Sequence, residues 1–177
     1  PWGDYADFHA INVQATQTLL QAAGSLKIPH FIHISTPSLY FDFSHRQGVI
    51  ETQLARQWAN HYVSTKYLAE QVVLQAVNEF EHMQCVMLRS RAIFGEYDRV
   101  LIPRLLQLHK QGKGVLKLPR GGAALMDLTY VGNVVAAMRL ASENESIASG
   151  SVFNITNQEP WPLQQVLQVL FVALNKD

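Results

Sequence analysis

Tyr62 and Lys66 are the residues of this sequence whose types and spacing could most plainly do chemistry. Four positions apart on a helix, a phenol and an ammonium lie one turn above each other on the same face. An ammonium beside a phenol favours the phenolate, so the pair could take a proton from a substrate oxygen or return one. A Tyr-x3-Lys spacing is short enough to arise by chance, and its weight depends on what surrounds it. The local sequence favours a helix. Asn60 offers the short amide of a good N-cap, and Val63, Leu68, Val72 and Val73 supply apolar surface to bury.

A site needs elements to hold it, and the rest of the chain supplies them. Ile11, Ala15, Leu19 and Ala22 form a helical stripe over residues 9–23, with Gly24 as the stop. After Pro29, residues 31–35 (Phe-Ile-His-Ile-Ser) look like a strand buried on both faces, ended by Thr36-Pro37-Ser38. Residues 41–59 lack a regular period and are expected to be a long loop. The Tyr62 helix is expected to reach about Glu79, and a second buried strand to cover 84–90. Beyond Phe94-Gly95, a helix is expected at 101–111, ended by Gly112, then a short strand at 115–118 and a turn at 119–122. An extended stretch at 127–130, a helix opened by Gly132-Asn133, a strand at 152–155 and a helix at 162–174 complete the reading.

Strand and helix in alternation argue for an α/β fold with a parallel sheet. Two strong parallel strands are too few for such a sheet, so further strands are expected upstream of Pro1. The chain, which opens without an initiator Met, is expected to be a piece of something longer, with an open sheet edge.

Composition excludes several function classes. In 177 residues, 48% apolar, 14 basic and 14 acidic side chains cancel without any block of like charge, which argues against nucleic-acid or polybasic membrane binding. The single cysteine, Cys85, lies in an apolar run and reads as a buried inert thiol, which fits a cytoplasmic compartment. No apolar segment of membrane-spanning length and no signal peptide is visible. The seven histidines show no metal-ligand spacing, so no metal site is expected.

Several motifs then line up in order: Asn12-Val13-Gln14-Ala15-Thr16, Ile34-Ser35-Thr36-Pro37-Ser38-Leu39-Tyr40, Tyr62-x3-Lys66, Leu88-Arg89-Ser90 with Phe94-Gly95, Asp127-Leu128-Thr129-Tyr130 with Gly132-Asn133, and Phe153-Asn154-Ile155-Thr156. Together they resemble the extended short-chain dehydrogenases/reductases, the NAD-dependent epimerase/dehydratase superfamily, most of all its 3β-hydroxysteroid and sterol dehydrogenase-like branch. The resemblance implies the C-terminal half of a doubly wound Rossmann-type sheet over residues 1–95. It implies a small α+β substrate region over 96–177, with about 126–141 returning to the first domain. The Gly-rich phosphate loop of that fold is absent from this chain, as is the residue that separates NAD from NADP.

The resemblance also implies roles. Tyr62 is the expected proton donor or acceptor, and Lys66 lowers its proton affinity and binds the nicotinamide ribose. Thr36, favoured over Ser38, is the hydroxyl that holds the substrate oxygen. Asn12 positions backbone or a water relay. Ser35, Arg89 and Ser90 join Tyr62 and Lys66 as cofactor-binding residues, although Ser90 stands where the family commonly has Pro. Dehydratases of the superfamily carry an Asp-Glu pair after the strand-end Thr; Pro37-Ser38 stands there instead, which argues against dehydration. The expectation is therefore an oxidoreductase using NAD or NADP to interconvert a secondary alcohol and a ketone on a small, mostly apolar molecule. A nucleotide-sugar epimerase and a non-catalytic dinucleotide-binding protein are the alternatives, and a homodimer through the Asn12 and Tyr62 helices is the family expectation.

Overall fold

Three parallel strands frame the Tyr62–Lys66 helix in a computed structural model that describes residues 3–174. In chain order the first elements are α1 (Tyr5–His9), a π-helical segment (Ala10–Gln14), α2 (Ala15–Ser25), β1 (His30–Ser35), a 3-10 turn (Pro37–Tyr40), α3 (His61–Glu79) and β2 (Gln84–Ser90). There follow β3 (Ile93–Phe94), α4 (Leu101–Gln111), a second 3-10 turn (Pro119–Gly122), β4 (Leu125–Asp127), β5 (Thr129–Tyr130), α5 (Val131–Glu143), β6 (Ser151–Ile155), β7 (Pro160–Pro162) and α6 (Leu163–Ala173). The chain divides into two compact units, Pro1–Ser90 with Val135–Ile155, and Arg91–Val134 with Thr156–Asp177. Val135–Ile155 brings β6 onto the edge of the first unit's sheet and most of α5 onto its face.

In the first unit the strands run in the order β1-β2-β6, all parallel. Among the described residues β1 is hydrogen-bonded on one side only, which leaves the open edge that two strong strands implied. Alternation along the strands explains why β2 is apolar on both faces over residues 85–88. Phe31, Cys85 and Met87 pack with Leu20, Val73 and Ala76 on the α2–α3 side. Ile32, Ile34, Val86 and Leu88 pack with Ala137 and Ala141 of α5 on the other. Burial leaves Cys85 an unreactive thiol with its pKa pushed up to about 11.

Gly24 was expected to stop its helix; it lies inside α2 instead, where a Cβ would meet the Phe80 ring at 2.5 Å. Its small size lets α2 approach the end of α3. The helical stretch also begins earlier than residue 9 and carries a π segment through Asn12. Asn60 caps α3 as expected, its side-chain oxygen accepting from Val63 N at 3.0 Å.

The second unit is built of small pieces. β3 pairs with β5 in parallel and β4 with β7 antiparallel. Asp98 starts α4 by accepting from the amides of Val100, Leu101 and Ile102, and His109 stacks on Phe171 of α6 at 4.5 Å. Residues 115–118 are not a strand. The Val115 amide is spent on the turn carbonyl of Gly112, and among the described residues no strand pairs with the run. The Asp127 Oδ1 is buried without a hydrogen-bond partner among the described residues. Asn157 anchors the start of α5, accepting from Tyr130 N at 2.9 Å and Asn133 Nδ2 at 2.8 Å.

Candidate active site

Lys66 is buried, which is unusual for an ammonium and demands partners. Its Nζ donates to the Ile34 carbonyl at 2.6 Å and lies 3.4 Å from His33 Nε2. Helix α3 thus sends its lysine to the carboxyl end of β1, two residues before Thr36. Burial lowers the lysine's proton affinity, and the Glu70 carboxylate one turn along α3 acts in the opposite sense.

Thr36 and Ser38 meet directly. The Thr36 hydroxyl accepts from Ser38 N at 3.2 Å, capping the turn that Pro37 opens, and lies 3.1 Å from Ser38 Oγ. Both hydroxyls therefore stand together at the strand's carboxyl end, the side on which open α/β sheets bind ligands.

Tyr62 is half-buried on the first turn of α3, its ring edge-on to Phe8 at 6.0 Å. Among the described residues its hydroxyl makes no hydrogen bond to Lys66, Thr36 or Ser38. Asn12 ties the neighbouring helix to this turn. Its Nδ2 donates to Thr65 Oγ1 at 2.9 Å, and Thr65 Oγ1 in turn bonds the carbonyls of His61 and Tyr62. The π segment holds Asn12 where this tie can form; such segments are frequent at functional sites. His61 is exposed, as a first-turn histidine pointing away from its neighbour should be, and meets the Tyr5 ring.

The remaining expected residues fall into a buried polar network. Glu70 Oε1 accepts from Ser35 Oγ at 2.5 Å and Arg89 Nε at 2.8 Å, while Oε2 accepts from Arg89 Nη2 at 2.6 Å. Arg89 Nη1 donates to Tyr40 Oη at 2.7 Å and to the Glu51 carbonyl at 2.8 Å. Tyr40 Oη continues to Asn154 Oδ1 at 2.6 Å. The structure thus spends Ser35 and Arg89 on protein partners, because a guanidinium 3% exposed must be neutralised by the fork-shaped pairing that Glu70 provides. Ser90 differs. Its Oγ is buried at the carboxyl end of β2 without a partner among the described residues, an acceptor and donor left for something else.

Sequence reasoning missed His33 and Glu70. Glu70 follows Lys66 by four, so it shares that lysine's helix face, and an acidic residue on the face that buries against the sheet was a signal for a buried partner. His33 sat unremarked inside an apolar strand. Its parity with Phe31 and Ser35 puts it on the α3 side, where Lys66 is.

A parallel sheet with helices on both faces, a lysine and two hydroxyls at the carboxyl ends of its strands, and a tyrosine one turn from that lysine define a Rossmann-type α/β protein. Residues 4–176 match the model of the 3-beta hydroxysteroid dehydrogenase/isomerase family, and the chain belongs to that family. It is 38% identical over 179 aligned residues to the protein YbjS of Escherichia coli (strain K12), covering 100% of this chain and 53% of the relative. It is 32% identical to the 2-alkyl-3-oxoalkanoate reductase of Stenotrophomonas maltophilia (strain K279a), over 98% of this chain and 53% of that protein. The sterol-4-alpha-carboxylate 3-dehydrogenase, decarboxylating, of Homo sapiens is 30% identical over 95% of this chain and 46% of its own length. The chain spans about half the length of the curated relatives it matches. Among solved structures, the UDP-glucuronic acid 4-epimerase of Bacillus cereus in complex with NAD is similar at a TM-score of 0.83 and 26% identity, covering 99% of this chain and 56% of that one.

Proposed function

We propose that the chain carries the catalytic half of an NAD(P)-dependent oxidoreductase that interconverts a secondary alcohol and a ketone on a small, mostly apolar molecule. The observation that carries this reading is the buried Lys66 ammonium, aimed at the carboxyl end of β1 beside the Thr36–Ser38 hydroxyl pair, on the helix whose first turn presents Tyr62. Family membership and the reductase and dehydrogenase relatives support it. So do the exposed rings of Phe41 and Phe43, 4.9 Å apart in a loop that also carries the Asp42–Arg46 ion pair. Arg99, Arg104 and Arg120 are exposed, and the proposal gives them no part.

The residues present fit a dinucleotide. Ser90 Oγ is an unpaired buried hydroxyl at a strand's carboxyl end, and Lys66 has a donor beyond the two partners it holds. In the proposal these two hold the nicotinamide ribose and amide, and Ser35 and Arg89 serve cofactor binding by fixing the strand ends rather than by contact. The nicotinamide supplies the hydride acceptor for oxidation or the donor for reduction. Thr36 Oγ1 donates to the substrate oxygen, with Ser38 Oγ beside it to orient that hydroxyl. Tyr62 Oη takes the alcohol proton in oxidation or gives one to the ketone oxygen in reduction. The Lys66 charge makes the tyrosinate easier to form. Asn12, through Thr65, keeps the turn that carries Tyr62 in place.

The phosphate-binding half of such a site needs a Gly-rich loop that this sequence does not contain. The 177 residues by themselves should therefore show no micromolar NAD(H) binding in calorimetry; heats that fit such affinity would refute the half-site reading. A second reading, nucleotide-sugar epimerisation, draws on the Bacillus cereus epimerase. It predicts that the protein carrying this chain and a dinucleotide-binding half converts UDP-sugars without releasing NADH. Exposed Ile11 and Leu19 on the Asn12 helix support the proposal of a homodimer through that face.

A further inference from the structure

We propose that His33 is a positioning residue for Lys66: its neutral imidazole, held with the proton on Nδ1, accepts from the ammonium at Nε2 and, with the Ile34 carbonyl, fixes where the amine sits. His33 is 7% exposed and lies on the β1 face that packs against α3, in register with Met87 of β2. The titratable and charged groups along this seam are Lys66 and Glu70 from α3 and Arg89 from β2, the last two bound to each other. An ammonium has donors and no acceptor. One N–H is taken by Ile34 O at 2.6 Å, and His33 Nε2 stands 3.4 Å away as the second partner. A proton on Nε2 would set donor against donor, and a charged ring would place two cations side by side away from water. Both are costly, so the ring must be neutral with a bare Nε2. Burial, and then the Lys66 charge, push the imidazole down to about 3, so it stays neutral wherever the lysine is charged and the protein works.

Two bonds on the β1 side leave the third N–H of Lys66 without an acceptor among the described residues. That donor is the one a ribose or substrate hydroxyl would meet. The identity of that ligand rests on the oxidoreductase reading; the His33–Lys66 contact does not.

A histidine that merely fills the core has no reason to carry its proton on Nδ1, since the free ring favours Nε2–H. Nitrogen NMR of the 15N-histidine-labelled chain separates the two. The expected result is a pyrrole-type Nδ1 and a pyridine-type Nε2 for His33 from about pH 5 to about pH 8. Lys66→Met should remove that tautomer bias and raise the His33 midpoint. An Nε2–H ring, a charged ring over that range, or a tautomer unchanged by Lys66→Met would overturn the proposal. If Lys66→Met does not fold, the lysine reports instead through its 13Cε titration. His33→Leu should lower the Lys66 midpoint and His33→Gln, which keeps an acceptor, should restore it; equal midpoints in the two variants refute the contact. Neither readout uses dinucleotide or turnover, so failure here leaves the Tyr62 test of the oxidoreductase reading untouched, and the reverse.

Discussion

Tyr62 can move a proton only through its hydroxyl, while its ring packs against Phe8 whatever the hydroxyl does. Tyr62→Phe should therefore cut turnover by about 10²–10⁴-fold and leave the melting temperature unchanged, since only the proton-transfer group is removed. A large loss of stability would mark the hydroxyl as structural. Thr36→Ala should cost more activity than Ser38→Ala, because Thr36 is the hydroxyl assigned to the substrate oxygen. It should also cost about 1 kcal/mol of stability from the lost cap, read in a urea titration. Equal activity losses at both positions would remove the assignment. The placement of Tyr62 and Lys66 on one helix and of Thr36 and Ser38 at a strand end was legible because strand ends and helix caps leave local marks in sequence. His33 and Glu70 were not, because their roles come from side chains meeting across β1, β2 and α3, and that pairing needs the sheet.

At the scale of elements, the Glu70–Arg89 pair joins α3 to the end of β2 and, through Tyr40 and Glu51, holds the loop before α3. Glu70→Gln leaves a buried guanidinium uncompensated and should destabilise the first unit by about 3–5 kcal/mol. Glu70→Gln with Arg89→Met should recover most of that loss, because it removes both charges; a double variant no more stable than the single one would show that the pair itself is not the cause. The main strands and α3 were legible from apolar runs and the Asn60 cap. The expected strand at 115–118 failed because β-propensity without a neighbour makes no ladder. The pairing of β4 with β7 was missed because Pro160 and Pro162 argue against a strand, yet at an edge they are tolerated.

For the chain as a whole, His33 couples folding to pH. Its folded value of about 3 lies below the 6.5 of a free histidine, so between these the unfolded chain binds more protons. The stability this contributes is complete above about 6.5 and falls as pH drops toward 3, by up to ~1.4 kcal/mol per pH unit. Urea midpoints should be lower at about pH 5 than at about pH 7, and His33→Gln should flatten the difference. A slope unchanged in that variant would place the pH sensitivity elsewhere. At this scale the α/β class was visible, whereas the strand order β1-β2-β6 was not, because it rests on pairings between distant segments that no single stretch shows. The central claim is that Tyr62 acts as proton donor and acceptor on a half-site completed by a dinucleotide-binding half. It is tested by following NAD(P)H formation from apolar secondary alcohols with the protein that joins both halves, wild type against Tyr62→Phe. Coenzyme reduction by the wild type that the variant loses is the predicted result; reduction that persists undiminished in Tyr62→Phe would contradict it.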